Sequence, residues 1–166
     1  MAAKGILVGL FLIACWAVVT RSTLHASCKL TWTFTVPCDT VHDLIIKQME
    51  KWNSSSLCPT GTEKCGYTID SATNTATEIK GTHTTPVHHY VDDLSMGFEN
   101  DTKICTVKGY STSEVIYAIF DKGTNYCNLH NLVSGSGLTN TTRYGFKEVT
   151  HDSVCTQYSS ADCSKY

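Results

Sequence analysis

The stretch LTWTFTV carries the clearest pattern in the chain, a strict alternation of apolar and polar positions. Every residue between the apolar positions is a threonine, and the apolar positions are Leu30, Trp32, Phe34 and Val36. A period of two, built largely from aromatic and β-branched residues, is typical of a strand with one buried face. Pro37 then ends the predicted strand, because proline cannot donate to a sheet ladder.

A helical period follows at once in DTVHDLIIKQMEKW. Apolar residues recur there at intervals of three and four, which predicts a helix with one buried face formed by Val41, Leu44, Ile45, Met49 and Trp52. Thr40 and Asp43 form a capping-box pattern at its start, and Asp39 is an alternative cap. We expect His42, in the first turn, to lie at the surface. The polar run 53–56 ends the predicted helix.

Strand patterns dominate from Cys65 onward. KCGYTID and TATEIKGTH flank SATN, a loop of hairpin length, and therefore predict two adjacent antiparallel strands. DDLSMGFE places Leu94, Met96 and Phe98 on one face, and we expect a turn at 99–101 before a strand in KICTVKGYS. EVIYAIF is apolar on both faces, which is typical of a central strand.

The rest of the chain is predicted to form a short second helix and an irregular tail. TNYCNLHNLV has apolar positions at helical spacing, with Thr124 as a cap and Gly135 as a stop. Beyond Gly137 the sequence is polar, and we expect Cys155 and Cys163 to fasten it to the body. One amphipathic helix and a short second helix on an antiparallel sheet of about five or six strands make a two-layer α+β domain.

The first residues have the features of a secretory signal peptide. Lys4 precedes an unbroken apolar run, GILVGLFLIACWAVV, which is shorter than a membrane span of about 20 residues. We expect cleavage after residue 22 or 26 and favour Ala26, so that 1–26 is the signal and 27–166 a single extracellular domain. No later stretch is apolar enough to predict a membrane anchor, and ADCSKY lacks a lipid-anchor signal.

The number of cysteines also indicates an extracellular protein. Cys15 lies within the predicted signal, so the nine cysteines reduce to an even set: Cys28, Cys38, Cys58, Cys65, Cys105, Cys127, Cys155 and Cys163. An even set in an oxidising compartment predicts four disulfides, although about 105 pairings are possible and the sequence does not choose among them. Disulfides of about 2 to 4 kcal/mol each would stabilise a domain rich in Thr, Ser and Asn.

The charge of the chain disfavours some classes of partner, and its sequons predict glycosylation. The chain has 13 basic and 15 acidic side chains, and loss of Lys4 and Arg21 makes the exported part more acidic. Because there is no basic cluster, nucleic acids and anionic membrane surfaces are not expected as partners. Three sequons, at Asn53, Asn100 and Asn140, predict N-glycosylation in surface loops.

THTTPVHHYVDDL is the first candidate for chemistry, because it gathers histidines and aspartates in one short span. His83, His88 and His89 are weak metal-ligand candidates, since a zinc site needs three or four ligands on one side. In a strand, Asp92 and Asp93 point to opposite faces, and adjacent histidines alternate in the same way. We interpret the stretch as a polar lead-in to a strand and expect neither a metal nor a cofactor.

Catalytic patterns are weaker. The even number of cysteines leaves no free thiol nucleophile, and SGSGL around Ser136 lacks the spacing of a nucleophile elbow. His42 and His130 together suit general acid and base chemistry, as in small secreted nucleases with four disulfides. No lysine-rich phosphate-binding stretch accompanies them.

TNYCNLHNL, TPVHHYVDDL and DSVCTQYSSADC resemble a group of small cysteine-rich secreted animal proteins to which no function is assigned. The resemblance spans Cys28 to Tyr166. It implies a single extracellular domain with paired cysteines, and it implies no activity.

The favoured hypothesis is a non-enzymatic extracellular binding or recognition protein. Its ligand is an unknown extracellular partner or a small hydrophobic molecule held between helix and sheet, and loops 83–89 and 124–131 are further candidate surfaces. The apolar side chains, Trp32 and Phe98 among them, are also numerous enough simply to fill the core. The alternative is a small secreted hydrolase that uses histidine and carboxylate groups, with His130 as the residue to test. A third reading is a structural component of mucus, egg coat or body surface.

Overall fold

The computed structural model describes residues 25–54, 58–73, 75–115 and 120–166. It has the predicted α+β architecture, with a six-stranded antiparallel sheet. In chain order the elements are β1 (Ser27–Phe34), α1 (Cys38–Lys51), β2 (Tyr67–Ala72), β3 (Glu78–Thr84), β4 (Val91–Asp101), β5 (Ile104–Ser113), α2 (Thr124–Gly135), α3 (Thr141–Tyr144) and β6 (Lys147–Val149), followed by a 3-10 turn at Tyr158–Ser160. Within these ranges no helix has the length and apolar character that a membrane span requires.

The sheet has the strand order β2-β3-β4-β5-β1-β6. Strands β2 to β5 follow one another as antiparallel hairpins. After β1, α1 carries the chain across to β2 at the far edge of the sheet, and β1 itself pairs with β5. The turn predicted at 99–101 is wrong, since the β4–β5 ladder continues until Asp101 pairs with Ile104. An ion pair between Glu99 and Lys108, 2.6 Å apart, joins the two strands near this end.

Helices α1 and α2 contact the sheet, α1 at β2, β4 and β5 and α2 at β1 and β5. Both predicted periods are confirmed at most of their positions, because these side chains are buried: Leu30, Trp32, Phe34, Val41, Ile45 and Met49. Leu44 and Trp52 of the predicted helix face are half-buried, and Val36 lies beyond the end of β1. They form one cluster with residues of α2 such as Leu129 and Leu132. The space between helices and sheet is therefore a core of packed side chains.

Helix α1 starts differently from its prediction. Its N-cap is Pro37, and no side chain makes a capping hydrogen bond, so the capping roles predicted for Thr40 with Asp43 and for Asp39 are wrong. The Pro37 carbonyl instead accepts from the amides of Thr40 and Val41. The helix start is thus organised by the backbone and by the nearby disulfide of Cys38.

His42 is buried rather than at the surface, with only 7% of its area exposed. Its ring packs edge-on against Phe98 of β4, with centroids 5.3 Å apart, and Nδ1 lies 3.5 Å from the Asp43 carboxylate. The surface prediction is wrong because the helix turns this position towards the sheet, where an aromatic partner covers it.

All eight cysteines of the described chain form disulfides, as predicted: Cys28–Cys155, Cys38–Cys105, Cys58–Cys65 and Cys127–Cys163. The second bond joins the start of α1 to β5, and the third closes a short loop before β2. The first and last attach the tail to β1 and to α2, which confirms the predicted fastening of the tail. Paired cysteines of this number are typical of an extracellular or secreted protein.

The tail has more structure than the sequence predicts. Strand β6 pairs with β1 at the sheet edge, and α3 begins where the Asn140 side chain accepts from the backbone amide of Arg143 at 2.9 Å. The signal-peptide prediction for 1–26 lies almost entirely outside the described residues, as does the core of the predicted strand EVIYAIF. Val115 and Phe120, on either side of that core, are in no strand.

Helix α2 is confirmed over the predicted stretch, but its cap differs. Gly123 precedes it with φ at 80°, a conformation that favours glycine. Thr124 is not the cap. The Asp121 carboxylate accepts from the backbone amides of Gly123 at 3.1 Å and Asn125 at 3.0 Å, and this carboxylate satisfies the open end of the helix.

Candidate functional site

A cleft of about 390 Å³ opens where β4 begins and β5 ends. Loops on four sides contribute to its lining: the loop before β2, the loop between β3 and β4, the segment before α2 and the tail. Its lining includes Glu63, His88, Tyr90, Asp92, Ser113, Val115, Phe120, Asp121, Lys122 and Tyr166. This volume lies within the range of small-molecule binding sites.

Asp92 forms the floor of the cleft and is only 2% exposed. Its two carboxylate oxygens accept hydrogen bonds from the Ser113 hydroxyl at 2.5 Å and from the Asn128 side chain at 2.7 Å. Ser113 is the cross-strand neighbour of Asp92, and Asn128 reaches down from α2. A buried carboxylate that is held in this way keeps a fixed orientation.

The same polar network continues below α2. Ser111 donates to the Asn125 side-chain oxygen at 2.6 Å, and the Asn125 amide donates to the Asp121 carboxylate at 2.8 Å and to the Ala26 carbonyl at 3.2 Å. These bonds join β5, α2 and the start of the described chain. The side chains of the floor are therefore oriented by hydrogen bonds within the described chain.

Glu63 forms one wall of the cleft. Its backbone is anchored because its amide donates to the Lys165 carbonyl at 2.9 Å and its carbonyl accepts from the Cys65 amide at 2.8 Å. Its side-chain Oε2 is buried and has no hydrogen-bond partner among the described residues. Burial, together with the charge of Asp92, raises the pKa of Glu63 to about 7, although Lys122 acts in the opposite direction.

His83 lies directly behind this wall and is fully buried. Its Nε2 is 2.9 Å from the Glu63 carbonyl, which can only accept, so Nε2 carries the proton and Nδ1 is an acceptor. Burial lowers the pKa of His83 and keeps the ring neutral. The ring also lies against Tyr67, with centroids 4.7 Å apart.

Several buried polar atoms in this region share one property, because each is an acceptor without a partner in the described chain: Glu63 Oε2, His83 Nδ1, Asn128 Oδ1 and Asn131 Oδ1. The two asparagine orientations are set by their amide groups, since Asn128 donates to Asp92 and Asn131 donates to the Tyr166 carbonyl at 2.7 Å. Of these four atoms, only Glu63 Oε2 belongs to a residue that lines the cleft.

The mouth of the cleft is apolar and exposed. Tyr90, Val115 and Phe120 have 52%, 37% and 78% of their area exposed. His89 and Lys122, beside the mouth, adopt positive φ values of 55°. Exposed apolar groups and strained backbone around a cleft are both more frequent at binding sites than elsewhere.

A second cleft of about 500 Å³ lies beside β1 and β5. Its lining includes the exposed side chains of Lys29, Lys108 and His151, and no buried polar side chain is part of it. Although it is larger, it lacks convergent, oriented groups. The first cleft is therefore the candidate site.

The histidines considered for a metal site do not converge. His83 is buried, whereas His88 and His89 are both exposed in the loop before β4. The alternation predicted for these adjacent histidines is therefore wrong, because neither lies in a strand. In the described part of the chain, no group of three or more His, Cys, Asp or Glu side chains is arranged to hold a metal ion. Asp92 is buried and Asp93 exposed, which confirms the predicted alternation.

The two histidines considered for acid and base chemistry have separate partners. His42 packs against Phe98, whereas His130 stacks on Tyr126 with ring centroids 5.2 Å apart. His130 Nδ1 lies 3.4 Å from Glu148 Oε2 and 3.0 Å from the Tyr126 hydroxyl. His42 and His130, which were considered as an acid and base pair, therefore contact different residues.

Glu148 is the centre of this second cluster. Trp32 donates to one oxygen at 2.8 Å and Tyr126 to the other at 2.9 Å. Burial acts to raise the pKa of Glu148, but the hydrogen bonds from His130, Trp32 and Tyr126 outweigh it and lower the pKa. Burial and the nearby Glu148 charge raise the pKa of Tyr126. The cluster joins β6 to β1 and α2.

Sequence reasoning missed Glu63, Asn125 and Asn128. A signal for the asparagines exists, because Asn125, Asn128 and Asn131 recur every three residues along α2 and are all buried. Polar side chains on a buried helix face are expected to bond inward. Glu63 has no such signal, since it lies in a loop without periodicity.

No protein-family model matches the chain, and no curated protein is detectably similar to it. The resemblance to small cysteine-rich secreted animal proteins therefore stays a prediction. What the fold and the cleft define is a class of molecule, a disulfide-bonded α+β domain with a polar pocket below an apolar mouth.

Proposed function

We propose that this chain is a secreted, non-enzymatic binding protein that holds a small ligand in the cleft between Glu63, Asp92 and Phe120. The observation that carries this proposal is the oriented, buried floor of Asp92 below exposed apolar side chains. A pocket with few converging polar groups and an apolar mouth is the usual form of a small-molecule site. A ligand between helix and sheet, the earlier expectation, is less well supported because packed side chains occupy that space.

Native mass spectrometry of the protein purified from its source tests this proposal. After enzymatic deglycosylation we expect a population heavier than the bare chain by the mass of one small molecule. Nuclear magnetic resonance of recombinant protein with a fragment collection provides a second test. Binders should shift the amide signals of Tyr90, Asp92 and Ser113, and a bare mass together with an unperturbed cleft would refute the proposal.

Secretion is part of the same proposal. Ala26 is buried, and its carbonyl accepts from the Ser113 amide at 3.1 Å and from Asn125 at 3.2 Å. Cleavage after residue 26 would remove these bonds, so we propose cleavage after residue 22 instead of the site favoured by sequence. N-terminal sequencing of the secreted chain should read from Thr23, and a start at Ser27 would contradict this assignment.

N-glycosylation at Asn53, Asn100 and Asn140 is proposed with it, since all three residues are exposed. Asn100 lies in β4 rather than in a loop, near its end. Treatment with a peptide N-glycosidase should reduce the mass and convert each occupied asparagine to aspartate. Unchanged mass spectra of the three tryptic peptides would remove this part of the proposal.

The second candidate function is a hydrolase centred on His130. The specific observation in its favour is the Glu148 carboxylate beside His130 Nδ1, which is how a carboxylate orients a catalytic imidazole. The position of His130 counts against a hydrolase, because the described lining of either cleft contains neither His130 nor Glu148. A panel of esterase, nuclease and glycosidase substrates decides, because His130→Ala should abolish any pH-dependent turnover that the protein has.

A further inference from the structure

We propose that the ligand of the cleft is a small organic cation, a protonated amine carried on an apolar or aromatic body. This inference rests on the proposed function, because it takes the cleft as the ligand site. It follows from three features of the cleft. The negative charge of the lining disfavours anions, the unpaired oxygen of Glu63 disfavours hydrocarbons, and the apolar mouth disfavours inorganic cations.

The charge of the lining favours a cation. Three carboxylates line the cleft, those of Glu63, Asp92 and Asp121, against one ammonium group, that of Lys122. Asp121 is committed to the start of α2 and to Asn125. Asp92 is bonded to Ser113 and Asn128 in the same way, so Glu63 is the carboxylate that remains to face a ligand. Glu63 and the nearby charge of Asp92 would repel a carboxylate or a phosphate.

The unpaired atoms favour a donor. Glu63 Oε2 lies in the lining and is buried without a partner among the described residues. Asn128 is held against Asp92, and its amide orientation is fixed by that bond. An ammonium group has three donors and no acceptor, so it can bond to the Glu63 oxygen, whereas a hydrocarbon leaves this oxygen unpaired.

The mouth favours an apolar body on that amine. Tyr90, Phe120 and Tyr166 line the cleft together with Val115. Aromatic faces attract cations and also bury apolar surface, so they suit an amine with a ring or a short chain. An inorganic cation would leave these side chains without a role, and a metal ion lacks a ligand cluster in the described residues.

Isothermal titration calorimetry with three probes that share a 2-phenylethyl group and differ in their polar group tests the inference. The full secreted chain is titrated with phenethylamine, with 2-phenylethanol and with 3-phenylpropionate at pH 7.5 and low ionic strength. We expect phenethylamine to bind at least tenfold more tightly than 2-phenylethanol, and 3-phenylpropionate to bind most weakly. Equal affinity for the amine and the alcohol would overturn the cation assignment.

Glu63→Gln is the informative variant, because it removes the charge and keeps the shape of the side chain. Phenethylamine affinity should fall at least tenfold, and 2-phenylethanol affinity should change less than twofold. Glu50→Gln, an exposed position on α1, is the matched control and should change neither. Circular dichroism and the absence of free thiols establish that each variant is folded. Unchanged amine affinity in folded Glu63→Gln would contradict the inference.

The pH dependence is a second readout that needs no variant. Because the pKa of Glu63 is about 7 in the free protein, its ionised fraction and the phenethylamine affinity should both rise about tenfold from pH 6 to pH 8. The other charged or titratable groups around it include Asp92, Asp121, Lys122, Tyr67, His83 and His88. Glu63→Gln should lose most of this rise, whereas His88→Gln should keep it.

The outcomes separate the two proposals. If 2-phenylethanol or 3-phenylpropionate binds in the cleft and phenethylamine does not, the ligand class is wrong and the binding function stands. If none of the three probes and no member of a general fragment collection shifts the amide signals of the cleft, the proposed function itself is wrong.

Discussion

The side chain of Asn128 donates a hydrogen bond of 2.7 Å to Asp92 and thereby joins the second helix to the sheet below the cleft. We expect Asp92→Ala to lower the free energy of unfolding by about 2 to 4 kcal/mol, because it leaves a buried amide and the Ser113 hydroxyl without their acceptor. Urea unfolding followed by circular dichroism measures the change. Asp93→Ala, on the exposed face, should stay within about 0.5 kcal/mol of the parent. Equal losses in both variants would show that the network does not stabilise the fold.

Glu148 should contribute stability that depends on pH in the acid range. Its pKa is lowered in the folded state from an ordinary value near 4.5. The contribution is therefore complete above about pH 4.5 and is lost as the pH falls through the lower folded-state pKa. Unfolding free energies of the parent and of Glu148→Gln should differ at pH 7 and converge towards pH 3. A difference that is independent of pH would contradict the assignment of the shift.

Glu63 should have the opposite effect on stability. Its pKa is raised from 4.5 to about 7, so the folded state holds the proton more tightly than the unfolded state does. Stability therefore falls as the pH rises from about 4.5 to about 7. Glu63→Gln should be more stable than the parent at pH 8 by about 1 kcal/mol, a figure reduced for partial exposure, and equal to it near pH 4. Thermal unfolding at both pH values measures this, with Glu50→Gln as the control.

Removal of two different disulfides should affect the free energy of unfolding and the affinity for the ligand to different extents. Cys127–Cys163 spans 36 residues and Cys58–Cys65 spans 7. Replacing the first pair by serines should cost about 2 to 4 kcal/mol, and replacing the second pair about 1.5 kcal/mol less, since shorter loops restrict the unfolded chain less. The second pair brackets Glu63, however, so its loss should weaken phenethylamine binding more than its stability cost suggests. Unfolding and calorimetry on both double-serine variants provide the comparison.

The strand and helix periods were readable from the sequence because they depend on local backbone geometry. Alternation in β1 and the three-and-four spacing of α1 each place side chains on one side of a single element, and the buried positions agree. The number of disulfides was also readable, since it needs only an even count in an oxidising compartment. The helix caps could not be predicted as well from the sequence. A carboxylate outside the helix, Asp121, replaced the cap predicted at Thr124.

The cleft could not be predicted, because it depends on residues that come together only in the folded chain. Asn128 and Asp92 are 36 positions apart, and Glu63 meets His83 across 20 positions. The same is true of His42, which is buried because Phe98 lies opposite it in β4. Partners at such separations leave no periodic trace, so propensity and pattern do not register them.

By itself, therefore, the sequence determined the kind of elements, their approximate order and the presence of cross-links, all of which follow from short-range periodicity and composition. Only the tertiary structure decided which cysteines pair, which polar side chains are buried, and that Glu63 and Asp92 line the same cleft. The physical reason is that burial and hydrogen-bond satisfaction are properties of the packed chain, set by sheet order and helix placement rather than by any local stretch of residues.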